Sequence, residues 1–223
     1  MDEVSMRIGI TMRVIENVEY PERRDALSRE WPEYVSHILP GVVLIPLLNN
    51  ADKVEDIIRS LDIKGIILSN GNDWGGAQER DETEQRIVNY CQAVNLPILG
   101  VCRGMQVLNV LFGGVIEKNI ADATKSSHVA VEHQVLIESS PFRVLSKKKL
   151  IYVNSFHKHG VLIKGLAQDM RAFATTADGV VEGFFHKTLP IMAIQWHPER
   201  KSPSAVFDQQ LITRLFKESR FWD

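Results

Sequence analysis

The sequence has little cysteine and no excess of charge of either sign. Cys91 and Cys102 are its two cysteines, too few for a disulfide framework, which favours a reducing, intracellular compartment. Lys and Arg total 26 against 28 Asp and Glu, so no charge imbalance indicates nucleic acid as a partner. The apolar run Gly41 to Leu48 is far too short to span a membrane, and the acidic segment 1–6 is unlike a signal peptide. We therefore expect a cytoplasmic protein that binds neither nucleic acid nor membrane.

What is present is the composition of an ordinary globular protein. Hydrophobic residues make up 44% and charged residues 24% of the 223 residues, a length that can bury a sizeable core. No linker, repeat or low-complexity stretch interrupts the chain. The sequence therefore predicts a single domain over residues 1–223.

The first half alternates strand-like and helix-like segments. Near-continuous apolar strands separated by helical patterns are typical of a parallel sheet covered on both faces. The second half has short strands at close spacing, which indicate an antiparallel extension. The predicted strands of the first half are 7–12, 42–48, 65–69 and 97–101, and its helices are 24–39, 53–61, 81–94 and 103–112. The predicted strands of the second half are 129–138, 150–155, 170–176, 180–186 and 190–196. The predicted fold class is α/β.

Polar residues predict where three of the helices begin. Asp52 can cap the helix 53–61, and Asp81 with Glu84 has the spacing of a capping box. Ser202, followed by Pro203, has the pattern of an N-cap with proline at the first helical position, which predicts a last helix from there.

The most informative segment surrounds Cys102. Gly100 and Gly104 flank this cysteine at a predicted strand-to-helix junction, a pattern typical of a nucleophile elbow. A turn this sharp needs glycine on both sides, and a helix N-terminus stabilises a thiolate. The backbone amide of Arg103 would then point to where an oxyanion forms. Taken alone, the pattern also fits a small buried hydrophobe at a tight turn.

A base for this thiol follows the last predicted strand. His197 and Glu199 are two residues apart, so both project to one side of an extended segment, and Glu199 can orient His197 toward the thiol. The alternative is a surface histidine beside a turn proline. Together, the two motifs predict cysteine-based nucleophilic catalysis.

These two motifs resemble those of a known protein family. The segment Gly-Val-Cys-Arg-Gly-Met-Gln (100–106) and Trp-His-Pro-Glu (196–199) are similar to the class I glutamine amidotransferase-like family. With 153–157 and 177–184, they resemble its peptidase C26 group of γ-glutamyl hydrolases. The resemblance implies a flavodoxin-like three-layer sandwich, a Cys102–His197–Glu199 triad and a γ-glutamyl thioester. It implies a small-molecule γ-glutamyl amide as substrate and no cofactor.

The resemblance also implies roles for residues that bind substrate. Gln106, Ser155 and His157 match positions that contact the glutamyl head group, although each also fits an ordinary structural role. Gly71 is the natural second oxyanion donor beside Arg103, but its loop reads Ser-Asn-Gly-Asn-Asp-Trp where the family usually has Gly-Gly-Pro.

Two segments after strand ends bear on the leaving group. The first carries Arg13, Arg23 and Arg24 and the second carries Trp74, which together would suit an acceptor with phosphates and a base. The alternative is that the arginines pair with the nearby Glu16, Glu19 and Glu22 on a solvated loop. Proteins of this family from polysaccharide and nucleotide-sugar pathways have a similar Glu-Arg-Arg-Asp-Ala-Leu segment, so the best substrate prediction is γ-glutamyl-CDP-amidate, from capsule modification. The second is a γ-glutamyl-γ-aminobutyrate-type substrate, although Lys158 and His159 differ from that subgroup.

Other classes of function stay open. The chain could be a glutaminase that supplies ammonia to a separate synthase, or a regulatory binding module on the same fold. The chain could also form a homodimer. A metal site is not predicted, because the histidine spacings match no zinc pattern and the histidines have no cysteine or carboxylate partners along their strands. The histidines in question are His128, His133, His157, His159 and His186.

Overall fold

The computed structural model describes residues 6–223, and the N-terminal segment 1–5 lies outside the described residues. The strands in the described part are β1 Arg7–Thr11, β2 Arg13–Glu16, β3 Arg23–Ala26, β4 Val43–Leu47, β5 Gly65–Leu68, β6 Ile98–Val101, β7 Val129–Ile137, β8 Leu150–Phe156, β9 Val161–Leu162, β10 Met170–Thr175, β11 Val180–His186 and β12 Ile191–Ile194. The helices there are α1 Glu30–Ile38, α2 Val54–Ser60, α3 Gln78–Val94, α4 Arg103–Leu111, α5 Ile120–Thr124, α6 Ser140–Ser146 and α7 Ala205–Glu218. None of these helices combines the length and apolar character needed to cross a bilayer.

One large sheet organises the molecule. Its strand order is β4-β1-β5-β6-β12-β11-β10-β7-β8, with β9 added on β11. The pairs from β4 through β12 are parallel, and the pairs from β12 through β8 are antiparallel. Strand β12 therefore joins a parallel half to an antiparallel half. The prediction of an α/β fold with a mainly parallel central sheet and an antiparallel extension is confirmed.

Helices cover both faces of this sheet. On one face, α1, α6 and α7 bury apolar side chains such as Trp31, Phe142 and Leu211. On the other face, α2, α3 and α4 bury Ile58 and Leu108 among others. The result is a three-layer sandwich with the carboxyl ends of the parallel strands at one edge, where ligands of such sheets bind.

The predicted helix 24–39 begins too early. Residues Arg23–Ala26 form β3, which pairs antiparallel with Arg13–Glu16 in a separate two-stranded hairpin. Helix α1 starts at Glu30 and buries Trp31, Val35 and Ile38. The spacing of Leu27 extended the helical pattern into a segment whose backbone is held by cross-strand hydrogen bonds.

The predicted helix starts are also wrong in detail. Helix α3 begins at Gln78 without a side-chain cap, so Asp81 and Glu84 form no capping box. Asp52 does not cap α2, whose N-cap is Lys53. Helix α7 begins after Ser204, two residues beyond Pro203. In α3 the two carboxylates bind buried arginines instead, a tertiary role that the local spacing does not reveal.

The apolar run 42–48 predicts a buried strand, and the second half of the chain predicts strands up to its last helix; the structure differs from both predictions. Strand β4 is at the sheet edge and half exposed, which suits Pro46 because proline cannot donate to a second neighbour. The short helices α5 and α6 lie in the half predicted to consist of strands.

Candidate active site

Cys102 lies in a strained turn between β6 and α4. Its backbone has φ 52° and ψ −104°, a left-handed conformation that is unfavourable for a residue with a side chain. A Cβ on Gly104 would lie 2.1 Å from the carbonyl oxygen of Leu68, and one on Gly100 would lie 2.8 Å from the backbone of Gly104. Both flanking glycines are therefore required by close backbone contact, and the turn holds the half-exposed thiol at the carboxyl edge of the sheet.

Strand β12 brings the second motif to the same edge. It pairs in parallel with β6, with Ile194 opposite Val101, and the Cys102 amide donates to the Ile194 carbonyl at 2.9 Å. His197 follows three residues later, and Asn154 holds its backbone: the Asn154 side chain accepts from the His197 amide and donates to its carbonyl, both at 2.9 Å. The position of the imidazole is thus fixed by two neighbouring elements.

The His197 ring is oriented by a buried carboxylate. Its Nδ1 lies 2.8 Å from Glu199 Oε1, and Asn70 Nδ2 donates to the same oxygen at 3.1 Å. His197 is 2% exposed and Glu199 is 6% exposed. With Nδ1 directed to the carboxylate, Nε2 is left for the cavity, and it has no hydrogen-bond partner among the described residues.

The electrostatics favour a charged imidazole. Burial by itself lowers the pKa of His197, but the neighbouring Cys102 thiolate and then Glu199 outweigh it and raise that pKa to about 9. An imidazolium beside a thiolate is the arrangement that activates a cysteine nucleophile.

These residues line a cavity of about 300 Å³. Its wall is rich in nitrogen-bearing side chains that carry or can take up positive charge, and Asp73 is the one carboxylate that lines it in the described part of the chain. The lining residues are Arg13, Asn70, Gly71, Asp73, Cys102, Arg103, Gln106, Phe156, His157, Lys158, His159, His197 and Arg200. A cavity of this size and charge suits a small anionic molecule.

Most of the predicted site residues meet at this cavity. Cys102, His197, Gly71, Arg103, Gln106 and His157 line it, and Glu199 lies directly behind His197. Trp74 lies in an adjoining cavity of about 510 Å³, which shares Asp73 and His159 with the first.

Three predicted substrate contacts are not brought to the cavity. The Ser155 hydroxyl is fully buried and donates to the His128 carbonyl at 2.6 Å, so it ties two strands together. Arg24 pairs with Glu22 and Arg23 lies 3.6 Å from Glu16, as the alternative interpretation of these arginines expected. Arg23 also pairs with Glu79 of α3 at 2.6 Å, a partner that was not predicted.

The side chain of Arg103 turns away from the cavity into a buried charge network. It contacts Asp81 and Glu84 on α3, and Glu84 also accepts from Arg80 Nε at 3.0 Å and from the Thr11 hydroxyl at 2.8 Å. The network anchors the first residue of α4, and hence the cysteine turn, to the neighbouring helix.

Sequence reasoning missed two residues at the site. Asn70 donates to Glu199, and the departure of its loop from the family pattern could have indicated it. Arg200 lines the cavity and lies 4.6 Å over the Phe156 ring, and its position next to Glu199 in the sequence could have indicated it. Of the three arginines that the sequence singled out, Arg13 is the one that lines the cavity.

Comparison with known proteins places the chain in the class I glutamine amidotransferase-like family. The family model of peptidase C26 matches residues 7–199, and the chain belongs to that family. It is therefore a glutamine amidotransferase-like hydrolase of the C26 type.

Two curated relatives illustrate the range of this class. The chain is 31% identical over 204 residues to the γ-glutamyl-CDP-amidate hydrolase of Campylobacter jejuni subsp. jejuni serotype O:2, covering 88% of this chain and 92% of the relative. It is 31% identical over 153 residues to a glutamine-hydrolyzing GMP synthase subunit of Methanothermobacter thermautotrophicus, covering 69% and 74%.

Solved structures share the architecture. The glutaminase domain of Trypanosoma brucei CTPS with bound acivicin matches with a TM-score of 0.70 at 17% identity, covering 98% of this chain and 96% of that one. A glutamine amidotransferase from Thermotoga maritima matches with a TM-score of 0.61 at 12% identity, covering 95% and 83%. At these identities the likeness concerns the fold.

Proposed function

We propose that the protein cleaves γ-glutamyl amides through a thioester on Cys102. The observation that carries the proposal is the arrangement of Cys102, His197 and Glu199 at one cavity. The thiol is held out by a strained turn, and the Nδ1 of the base is fixed by a buried carboxylate at 2.8 Å. This is the geometry that a cysteine nucleophile, a proton-transferring histidine and an orienting acid require.

The reaction follows from these positions. His197 holds the proton of Cys102, and the thiolate attacks the γ-carbonyl carbon of the substrate. The oxyanion accepts from the backbone amide of Arg103, which has no intrahelical acceptor as the first residue of α4, and from that of Gly71. His197 gives its proton to the departing nitrogen as the C–N bond breaks. Water, deprotonated by His197, then cleaves the thioester and releases glutamate.

Two neighbouring side chains, Gln106 and His157, shape the part of the cavity proposed for the glutamyl head group. Gln106 is buried one turn beyond Cys102, and its amide nitrogen donates to the His159 carbonyl at 2.9 Å, which leaves its oxygen to accept from an ammonium group. His157 lines the same cavity beside Gln106, and its Nδ1 donates to the same His159 carbonyl at 2.9 Å. Arg13 and Arg200 supply positive charge for carboxylate or phosphate oxygens.

The preferred substrate in this proposal is γ-glutamyl-CDP-amidate. Support comes from the name of the Campylobacter relative and from the cationic cavity wall. The adjoining cavity beside Trp74 offers room for a leaving group larger than ammonia, with an aromatic surface for a base. Arg13 and Arg200 replace Arg23 and Arg24 as the residues expected to contact a diphosphate.

The first experiment tests the chemistry. Cys102→Ala should lower glutamate release by several orders of magnitude, since no other thiol lines the cavity among the described residues. An unchanged circular dichroism spectrum and unfolding midpoint would show that the fold is retained. Turnover by Cys102→Ala at the wild-type rate would overturn the thioester mechanism.

The second experiment tests the substrate. Glutamate release is followed with glutamine, γ-glutamyl-γ-aminobutyrate and γ-glutamyl-CDP-amidate, and the last should have the highest kcat/KM. Arg200→Ala should lower kcat/KM for γ-glutamyl-CDP-amidate more than for glutamine. Arg24→Ala is the matched control, because Arg24 pairs with Glu22 outside the cavity and should leave both values unchanged. Equal effects of Arg200→Ala on both substrates would contradict the assignment.

A second candidate function is that of a glutaminase for a separate synthase. The similarity to the Methanothermobacter GMP synthase polypeptide favours it. In that case glutamine is the best substrate of the panel, and its hydrolysis rises when the partner is added.

A further inference from the structure

Three histidines surround one buried carboxylate behind the candidate active site. Glu182, on β11, is fully buried, and neither of its carboxylate oxygens has a hydrogen-bond partner among the described residues. Its Oε1 lies 3.6 Å from His128 Nδ1, 3.4 Å from His133 Nε2 and 3.4 Å from His157 Nε2. Each of these ring nitrogens is likewise buried and unpartnered. An anion in this position needs a positive charge close by.

The other nitrogens of two rings show which atoms bear the protons. His157 Nδ1 lies 2.9 Å from the His159 carbonyl oxygen, which can only accept, so Nδ1 carries a proton and donates it. His128 Nε2 lies 3.4 Å from the Asp178 carboxylate, which also only accepts. The inner nitrogens of these two rings, which face Glu182, are therefore the atoms available to bind a cation. Lone pairs that converge on a carboxylate repel it unless a cation lies between them.

The distances fit a cation better than shared protons. Charge-assisted N–H···O bonds are usually about 2.7–2.9 Å long, shorter than the contacts at Glu182. Ligand atoms bonded tetrahedrally to zinc at about 2.0–2.1 Å are separated from one another by about 3.3–3.4 Å. The nitrogen and oxygen atoms contributed by His128, His157 and Glu182 all lie within 4.8 Å of one another.

We propose that His128, His157 and Glu182 bind a structural Zn²⁺ ion, and that His133, whose Nε2 lies 3.4 Å from Glu182 Oε1, supplies a fourth ligand. A set of imidazole nitrogens and one carboxylate oxygen favours zinc over magnesium and calcium, which prefer sets of oxygen ligands. The hydrogen bonds of the outer ring nitrogens to Asp178 and to the His159 carbonyl are those that orient histidine ligands at zinc sites. The expectation that the histidines lack a carboxylate partner is wrong, because β11 supplies Glu182.

The site explains how one wall of the cavity is held. The ligands come from β7 and the residue before it, from the residue after β8, and from β11, which β10 separates from β7 in the sheet. The metal therefore cross-links segments that are not all paired with one another. His157 belongs both to this set and to the cavity wall. With four protein ligands the site is closed, so the metal positions His157 and takes no part in the bond changes at Cys102.

Metal analysis tests the proposal directly. The protein is incubated with ZnSO₄, freed of loosely bound metal by gel filtration and analysed by mass spectrometry for zinc. The wild type should keep about one zinc per chain. Glu182→Gln and His128→Asn should keep less than a tenth of that amount. His37→Asn, at an exposed position on α1, and Cys102→Ser should keep the wild-type amount.

Two further measurements use the wild-type chain, so they do not depend on the folding of any variant. Chelation of the metal should lower the Tm of the wild type. Co²⁺ added to the metal-free wild type should give the absorption of a tetrahedral nitrogen and oxygen site without a thiolate charge-transfer band. A wild type that keeps no zinc, or zinc that is lost in Cys102→Ser and kept in Glu182→Gln, would overturn the proposal. Cys102→Ser also separates it from the proposed hydrolysis, because this variant should bind zinc and yet lack activity.

Discussion

The buried charge network beneath the cysteine turn makes a sharp prediction about Glu84→Gln. Glu84 is fully buried between the guanidinium groups of Arg80 and Arg103, which are themselves buried. Burial by itself raises the pKa of Glu84, but Arg103 and then Arg80 lower it below its ordinary value, so the carboxylate is charged at neutral pH. The substitution keeps the shape and removes the charge, which leaves two cations with only Asp81 to balance them.

The expected loss of stability is large. Removing one partner of a buried ion pair costs about 3–5 kcal/mol, because the remaining charge is buried without compensation. For a chain of this length that corresponds to a fall in Tm of about 6–20 °C. The total stability of such a domain is about 5–15 kcal/mol, so the variant should be marginal. Since the folded-state pKa is lowered, the advantage of the wild type is present at neutral pH and is lost as the pH falls through that lowered value.

Urea unfolding at pH 7 measures the effect, with Glu82→Gln as the matched control. Glu82 is exposed on the same helix, and its loss should change the free energy of unfolding by no more than about 0.5 kcal/mol. Adding Arg80→Met to Glu84→Gln should cost less than the sum of the two single changes, because the pair interacts. A loss below about 1 kcal/mol for Glu84→Gln, similar to that of the control, would refute this account of the network.

Two other perturbations test the cavity. Gly71→Ala should lower kcat for every γ-glutamyl substrate, because Gly71 has a φ of +119° and the new Cβ would lie 2.8 Å from Arg13. Gly179→Ala is the control for backbone strain alone, because Gly179 has a φ of +86° and open space around it. Equal activity of the two variants would contradict the prediction. Because the pKa of His197 is raised to about 9, the stabilisation by its imidazolium is complete below about 6.5 and is lost as the pH rises through 9. Between these pH values, the free energy of unfolding measured in urea should fall more steeply with pH for the wild type than for Cys102→Ala. Parallel plots of this free energy against pH would indicate that the Cys102 thiolate does not raise the pKa of His197.

The sequence was a good guide where function depends on neighbours along the chain. The turn at Cys102 needs glycine at 100 and 104 because neighbouring backbone atoms lie where a Cβ would be. Five consecutive residues are therefore enough to predict the turn that presents the nucleophile. His197 and Glu199 are likewise close in sequence, and their ring-to-carboxylate contact was predicted from an extended segment.

The sequence was a poor guide where pairing across the chain decides the outcome. Residues Arg23–Ala26 follow a helical spacing, yet strand pairing with Arg13–Glu16 overrides it. Asp81 and Glu84 have capping spacing but bind arginines from other elements. Glu182 meets the three histidines only through the registers of β7, β8 and β11, which no local pattern encodes.

The joining of the two halves of the sheet at β12 also has a consequence during synthesis. Strand β6, which leads into Cys102, is apolar throughout and takes β12 as its outer neighbour. Strand β12 leaves the ribosome only after β7, β8, β9, β10 and β11, so the edge of β6 stays open for seconds while these strands are translated. An unpaired apolar edge is a template for association with other chains. The nascent chain is therefore most vulnerable to aggregation in the interval between the synthesis of its nucleophile and that of its base.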